Sequence, residues 1–219
     1  MSSQATLRAS RFALRASREN GRIVPAPSNS HRSRGRVTGC LLVDESIAAL
    51  LIVGSVGVGK TSVADRVGRL LSAQGMPGMV IDLDWLCNAW PAPLGDPFRE
   101  QFMLANLESV ADNARRAGFE RLVLAGVVES TEHRDRVAAA VGRPLVVCRL
   151  RVRHDIVRRR LAARHVGDPD GLTWHVNRLP ELDSVLDDAA VADVEIEASD
   201  LTLDETAAAV LDRTSRRRP

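Results

Sequence analysis

The chain of 219 residues has no tyrosine, and only 3% of its residues are aromatic. Any core it forms must therefore be aliphatic, built of Leu, Val, Ile and Ala. No apolar run approaches the roughly 20 residues a spanning helix needs, so the sequence reads as soluble, without a membrane partner. Cysteine is sparse: Cys40, Cys87 and Cys148 are odd in number, widely separated and in no metal-ligand spacing. That usage fits a reducing cytoplasm, with the thiols serving as small core residues. Lysine is scarcest among the charged residues: Lys60 stands alone against twenty-nine arginines. A chain that otherwise uses arginine keeps lysine where a compact, flexible point charge is needed.

That lysine sits in Gly54-Ser55-Val56-Gly57-Val58-Gly59-Lys60-Thr61, the G-x-x-x-x-G-K-[ST] pattern of a phosphate-binding loop. Ala48 to Val53 before it is an unbroken apolar run, suited to a strand buried on both faces. Val63, Val67, Leu70 and Leu71 after it follow helical spacing. Strand, glycine loop and helix are the three parts the pattern requires. The loop from Gly54 to Ser62 is expected to wrap ATP phosphates with its backbone N–H groups. Lys60 would reach the β- and γ-phosphates, and the Thr61 hydroxyl would sit on Mg²⁺.

Charge is unevenly placed. Residues 1–36 carry eight arginines against Glu19, and Arg216, Arg217 and Arg218 end the chain; with an overall charge of +2, the body between is acidic at −8. Residues 1–45 are read as a disordered basic extension, rich in Ser, Arg and Ala without a sustained apolar period. Leu7 to Arg18 has the look of a short basic transit helix, and a translation start near Val37 or Val43 is the alternative. Residues 215–219 form a basic tail. A solvated tail is favoured over a nucleic-acid contact.

Between them, residues 46–214 alternate strands with helices, which predicts a parallel sheet covered on both faces. A second strand over Met79–Asp84 is expected to carry Asp82 and Asp84 on one face at its carboxyl end. A Pro/Gly-rich loop with Trp85 and Trp90 follows, then a helix from Phe98 towards Gly118. Further strands are predicted over Leu122–Val128, Leu145–Leu150 and Val191–Glu197. Ser130 or Thr131 caps one helix, His154 to His165 forms another, Leu172–Leu186 reads as two pieces around Pro180, and Thr202 with Glu205 caps the last.

Ligands of open parallel sheets bind beyond the carboxyl ends of the strands. A carboxylate pair there, Asp82 with Asp84, is therefore assigned jointly to Mg²⁺ and a substrate hydroxyl. Arg160 and Arg164, four apart on an arginine-rich helix, can close together on a phosphate chain. Arg178 is a third candidate, and Arg99 is placed to hold an anionic group of the acceptor or to form a surface ion pair.

The order of these elements resembles the small-molecule P-loop kinases, the shikimate, gluconate, adenylylsulfate and nucleoside-monophosphate kinases, over about residues 46–214. The resemblance implies an α/β three-layer sandwich, a five-stranded parallel sheet in order 2-3-1-4-5, ATP as donor and an arginine-bearing lid, with Asp82 acting toward Mg²⁺ and Asp84 toward the hydroxyl of a small-molecule acceptor. It departs from shikimate kinases where Ala125-Gly126-Val127-Val128 replaces consecutive glycines and Phe102 replaces an expected Glu. No acidic residue ends the third strand, which leaves metal contacts to Asp82, with Glu129 as a further candidate. The reading is an ATP-dependent kinase of a small metabolite, monomeric or homodimeric. A Ras-type GTPase is excluded because Asn-Lys-x-Asp needs a second lysine. A non-catalytic, regulatory ATP-binding protein is the alternative.

Overall fold

The computed structural model describes residues 49–216. The basic extension and the last three residues, including Arg217 and Arg218, lie outside them. Five strands form one parallel sheet: β1 (Ala49–Val53), β2 (Gly78–Asp82), β3 (Arg121–Ala125), β4 (Leu145–Arg151) and β5 (Val194–Glu197). Their order is β2-β3-β1-β4-β5. Seven helices connect and follow them: α1 (Lys60–Ala73), α2 (Leu83–Leu86), α3 (Glu100–Arg116), α4 (Thr131–Val141), α5 (His154–Arg164), α6 (Pro169–Ala189) and α7 (Leu203–Ser215).

The alternation of β1 divides the core. Leu50 and Ile52 pack with Val63, Val67, Leu161, Leu179 and Val210 from α1, α5, α6 and α7. Ala49, Leu51 and Val53 face Met103, Leu107, Val137 and Val141 from α3 and α4. Both faces of the central strand are dry, which is why its sequence is apolar without interruption. No aromatic ring is buried among the described residues, so the aliphatic core expected from composition is present. Cys148 belongs to it, and burial pushes its thiol up to about 12.

Several elements differ from the sequence reading. β2 stops at Asp82, because its carboxylate accepts from the Asp84 N–H at 3.0 Å and so starts α2. β3 ends at Ala125 rather than Val128. β5 begins at Val194, while the Val191 carbonyl takes a hydrogen bond from Arg134 at 2.7 Å. Helix α6 is continuous through Pro180. Pro180 removes one backbone donor on the exposed side, while Leu179, Leu182 and Leu186 bury the opposite stripe. Burial of that stripe overrides the local break.

The start of α3 also moves, from Phe98 to Glu100, with Arg99 left-handed at φ 59° as its N-cap. Asp96 satisfies the helix end instead, accepting from the N–H groups of Glu100 at 2.8 Å and Phe102 at 2.9 Å. Ser130 and the Thr202–Glu205 capping box lie where expected.

A charge cluster around the buried Arg149 pins α6 to the sheet. Arg149 of β4 is 2% exposed and donates to Asp187 at 2.7 Å and to the Asp183 carbonyl at 3.1 Å. Asp183 also meets His154 at 2.7 Å, and Arg151 bonds both Asp187 and Glu195.

Candidate active site

The loop joining β1 to α1 lies at the carboxyl end of the central strand. Gly59 is the N-cap of α1 and has no side chain to cap it, and the first backbone bond in the helix runs from Val63 N–H to the Gly59 carbonyl at 2.9 Å. The preceding N–H groups of Lys60, Thr61 and Ser62 are the helix donors without an intrahelical acceptor. With the positive end of the helix dipole, they favour a phosphate. Gly57 has φ +77°, and a Cβ there would come within 2.9 Å of Val157 and 3.0 Å of Leu161. The loop is thus seated directly against α5. The Ser55 hydroxyl is buried without a hydrogen-bond partner.

Lys60 folds back over the loop, donating to the carbonyls of Gly54 at 3.1 Å and Ser55 at 3.2 Å. Burial lowers its pKa, and Asp84 and Asp82 oppose that shift. Thr61 Oγ1 donates to Asp82 Oδ2 at 2.8 Å. Asp84 lies in the first turn of α2, not on the strand, so the two carboxylates converge through a helix cap rather than strand alternation. Asp84 is exposed to solvent on one side, yet desolvation by the groups around it raises its pKa. Lys60 pulls that pKa down and the Asp82 charge adds to the rise.

Helix α5 supplies the arginines, with different partners. Arg160 donates to the Val58 carbonyl at 3.2 Å and so props the loop backbone. Arg164 lies within electrostatic reach of both Lys60 and Asp84. Arg178 is committed elsewhere, to Glu129 at 2.7 Å and Glu181 at 2.9 Å, which also removes Glu129 from the metal side. Among the described residues Arg99 shows no ion pair of the kind weighed from sequence: its Nε donates to the Ala89 carbonyl at 2.7 Å and grips the loop that carries Trp90. Cys87 donates to the Asp84 carbonyl at 3.3 Å.

Sequence reasoning missed Asp96, whose carboxylate satisfies the first turn of α3, and Arg149, hidden inside the strand predicted over Leu145–Leu150. Asp96, four residues before Glu100, was a legible capping signal; nothing local marks Arg149.

The residues fit a magnesium nucleotide. Among the described residues no three His, Cys, Asp or Glu side chains gather to hold a metal unaided. Mg²⁺, however, is commonly held by one or two protein oxygens plus substrate phosphates. Thr61 and Asp82 supply such oxygens beside the loop donors. A cavity of about 250 Å³ between α1 and the starts of β2 and β3, lined by Leu71, Met76, Val80 and Phe119, lies at the opposite end of the sheet and takes no part.

Fold and loop together define a three-layer P-loop sandwich of the small-molecule kinase type. Among solved structures, the chain is similar to the APS kinase of Mycobacterium tuberculosis in complex with AMPPNP and APS. That match has 25% identity, 76% of this chain and 96% of that one covered, and a TM-score of 0.52. It is also similar to the tunicamycin resistance protein of Deinococcus radiodurans (18% identity, 77% and 95% covered, TM-score 0.56). A third likeness is to the shikimate kinase of Bacteroides thetaiotaomicron (18%, 77% and 97%, TM-score 0.51). No family model and no curated protein sequence matches the chain. No described helix is long and apolar enough to cross a membrane.

Proposed function

We propose that this protein is a kinase that transfers the γ-phosphoryl group of MgATP to a hydroxyl of a small-molecule acceptor. The observation that carries the reading is the Thr61–Asp82 hydrogen bond, with Lys60 and Asp84 within electrostatic reach of it and of each other. A bare binding module needs the loop, but it does not need a second carboxylate facing the lysine. The fold shared with an APS kinase supports the same reading.

Thr61 and Asp82 are the residues that would hold Mg²⁺, which when bound would neutralise charge on the phosphates. The loop N–H groups and Lys60 hold the β- and γ-phosphates in line with the acceptor. Asp84 orients the acceptor hydroxyl and takes its proton as oxygen bonds to the γ-phosphorus and the bond to the β–γ bridging oxygen breaks. Its raised pKa brings it closer to the operating pH, where a general base is most effective. Arg164 and Lys60 oppose the negative charge that develops on the transferring group. Arg160 supports the loop from behind, and Arg99 shapes the acceptor side by fixing the Ala89 carbonyl.

The test is MgATP-dependent ADP release over a pool of hydroxylated metabolites, with Lys60→Ala as the control. Turnover that needs Lys60 supports the reading. Wild-type turnover in Lys60→Ala overturns it.

A further inference from the structure

All three tryptophans of the chain, and every described phenylalanine, lie at the surface rather than in the core. Aromatic rings are the largest carriers of apolar area, and a chain this poor in them is expected to bury them first. Here the reverse holds. Trp85 is 62% exposed, Trp90 83%, Phe98 88% and Trp174 61%, with Phe102 also on the surface. Phe119 and Trp174 apart, these aromatics lie in the stretch from α2 into α3 that follows Asp84.

Their placement follows from contacts already described. Trp85 directly follows Asp84 in α2. Trp90 sits on the loop that Arg99 clamps through Ala89, and Phe98 precedes that arginine. Phe102 lies in the first turn of α3, held by Asp96. On α6, Trp174 lies one helical turn before Arg178, and Arg178 reaches Glu129 beyond the end of β3. β3 ends with Ala125 in register beside Asp82. The Trp174 ring stands edge-on to His175 at 4.8 Å, which limits its freedom.

We infer that the acceptor is an uncharged alcohol carrying a flat aromatic ring, such as a nucleoside or an aryl-substituted diol, held between the Trp85–Trp90 rim and Trp174 with its hydroxyl at Asp84. Exposed apolar patches of this kind mark binding surfaces, and stacking on aromatic side chains tolerates any ring with a π-face. The charges agree. Arg178 is paired with Glu129 and Glu181, and Arg99 is engaged by a carbonyl, so neither is set aside for an anionic acceptor. The inference rests on the kinase reading for the hydroxyl, but not for the ring.

The experiment uses the full chain with uridine and 3-phenylpropane-1,2-diol as ring probes, and D-gluconate, shikimate and glycerol as ringless ones. Tryptophan fluorescence reads binding, since every tryptophan belongs to the proposed site, and ADP release reads transfer. The ring probes are expected to quench saturably and to be phosphorylated. Trp90→Ala and Trp174→Ala should each weaken ring-probe binding by about tenfold, while Trp90→Phe and Trp174→Phe largely restore it. Affinity for a fluorescent ATP analogue should stay unchanged. Saturable, Trp90-dependent quenching without ADP release upholds the ring site and overturns the kinase reading. Transfer to ringless probes that ignores both alanine variants overturns the ring site and upholds the kinase. Absence of saturable quenching by both ring probes overturns the inference whatever the transfer assay shows.

Discussion

Thr61 Oγ1 donates a hydrogen bond to Asp82 Oδ2 over 2.8 Å, joining the first turn of α1 to the last residue of β2. These residues are 21 apart in sequence and meet because β2 ends beside the loop that opens α1. A hydroxyl and a carboxylate so paired present oxygens of fixed orientation to a hard cation. Asp82→Asn should raise the Mg²⁺ concentration needed for half-maximal ATP turnover by about 10–100-fold. The variant also loses part of the α2 cap, so circular dichroism should accompany the metal titration. An unchanged Mg²⁺ dependence would place the metal elsewhere.

Asp84→Asn separates chemistry from nucleotide binding. Loss of a general base or orienter typically costs about 10²–10⁴-fold in rate, and affinity for an ATP analogue should barely move. In the wild type, the acid limb of kcat/KM should lie above the ordinary carboxylate range, because desolvation raises the Asp84 pKa. That limb should vanish in the variant.

The same shift has a consequence for stability. The folded chain holds the Asp84 proton to higher pH than the unfolded chain does, so ionising Asp84 opposes folding. This cost is absent below the unfolded value of about 3.9 and complete above the raised folded value. Asp84→Asn should therefore melt above the wild type at neutral pH, with the two Tm values converging as pH falls below about 4. A variant less stable at neutral pH would contradict the assigned desolvation.

The two lid arginines should fail differently. Arg164→Ala removes charge near the transferring group and should lower kcat by about 10²-fold or more, with little change in ATP affinity. Arg160→Ala leaves the Val58 carbonyl without its donor and should weaken ATP binding more than it lowers kcat. Equal kinetic losses in the two variants would remove the distinction.

Gly57→Ala tests the seat of the loop on α5. A Cβ there would sit 2.9 Å from Val157 and 3.0 Å from Leu161, at a φ of +77° that L side chains rarely adopt. Overpacking of this kind costs about 1–3 kcal/mol, so Tm should fall by roughly 2–12 °C and ATP affinity should drop with it. Retained affinity in calorimetry would show that loop and helix are independent.

Much of this protein is written locally. The phosphate loop is legible because strand, glycine turn and helix follow within about twenty-five residues, and each obeys short-range rules of backbone sterics and apolar period. The sheet was legible from the alternation of apolar runs with helices, its strand order from the likeness to P-loop kinases, and the aliphatic core from the shortage of aromatics. What the tertiary structure alone decided are meetings between distant residues. Arg160 reaches Val58 across 102 positions, whereas Arg164, one helical turn on, faces the lysine. Which does which depends on how α5 is seated against Gly57, and no helical period records that. Pro180 stays inside a helix because its leucine neighbours are buried, and Arg149 survives inside the core because α6 brings Asp183 and Asp187 to it. Asp84 meets Lys60 through a capped turn rather than along a strand. In each case packing and charge pairing between remote segments outweigh a local preference of about 1–3 kcal/mol, and only the folded chain brings the partners together.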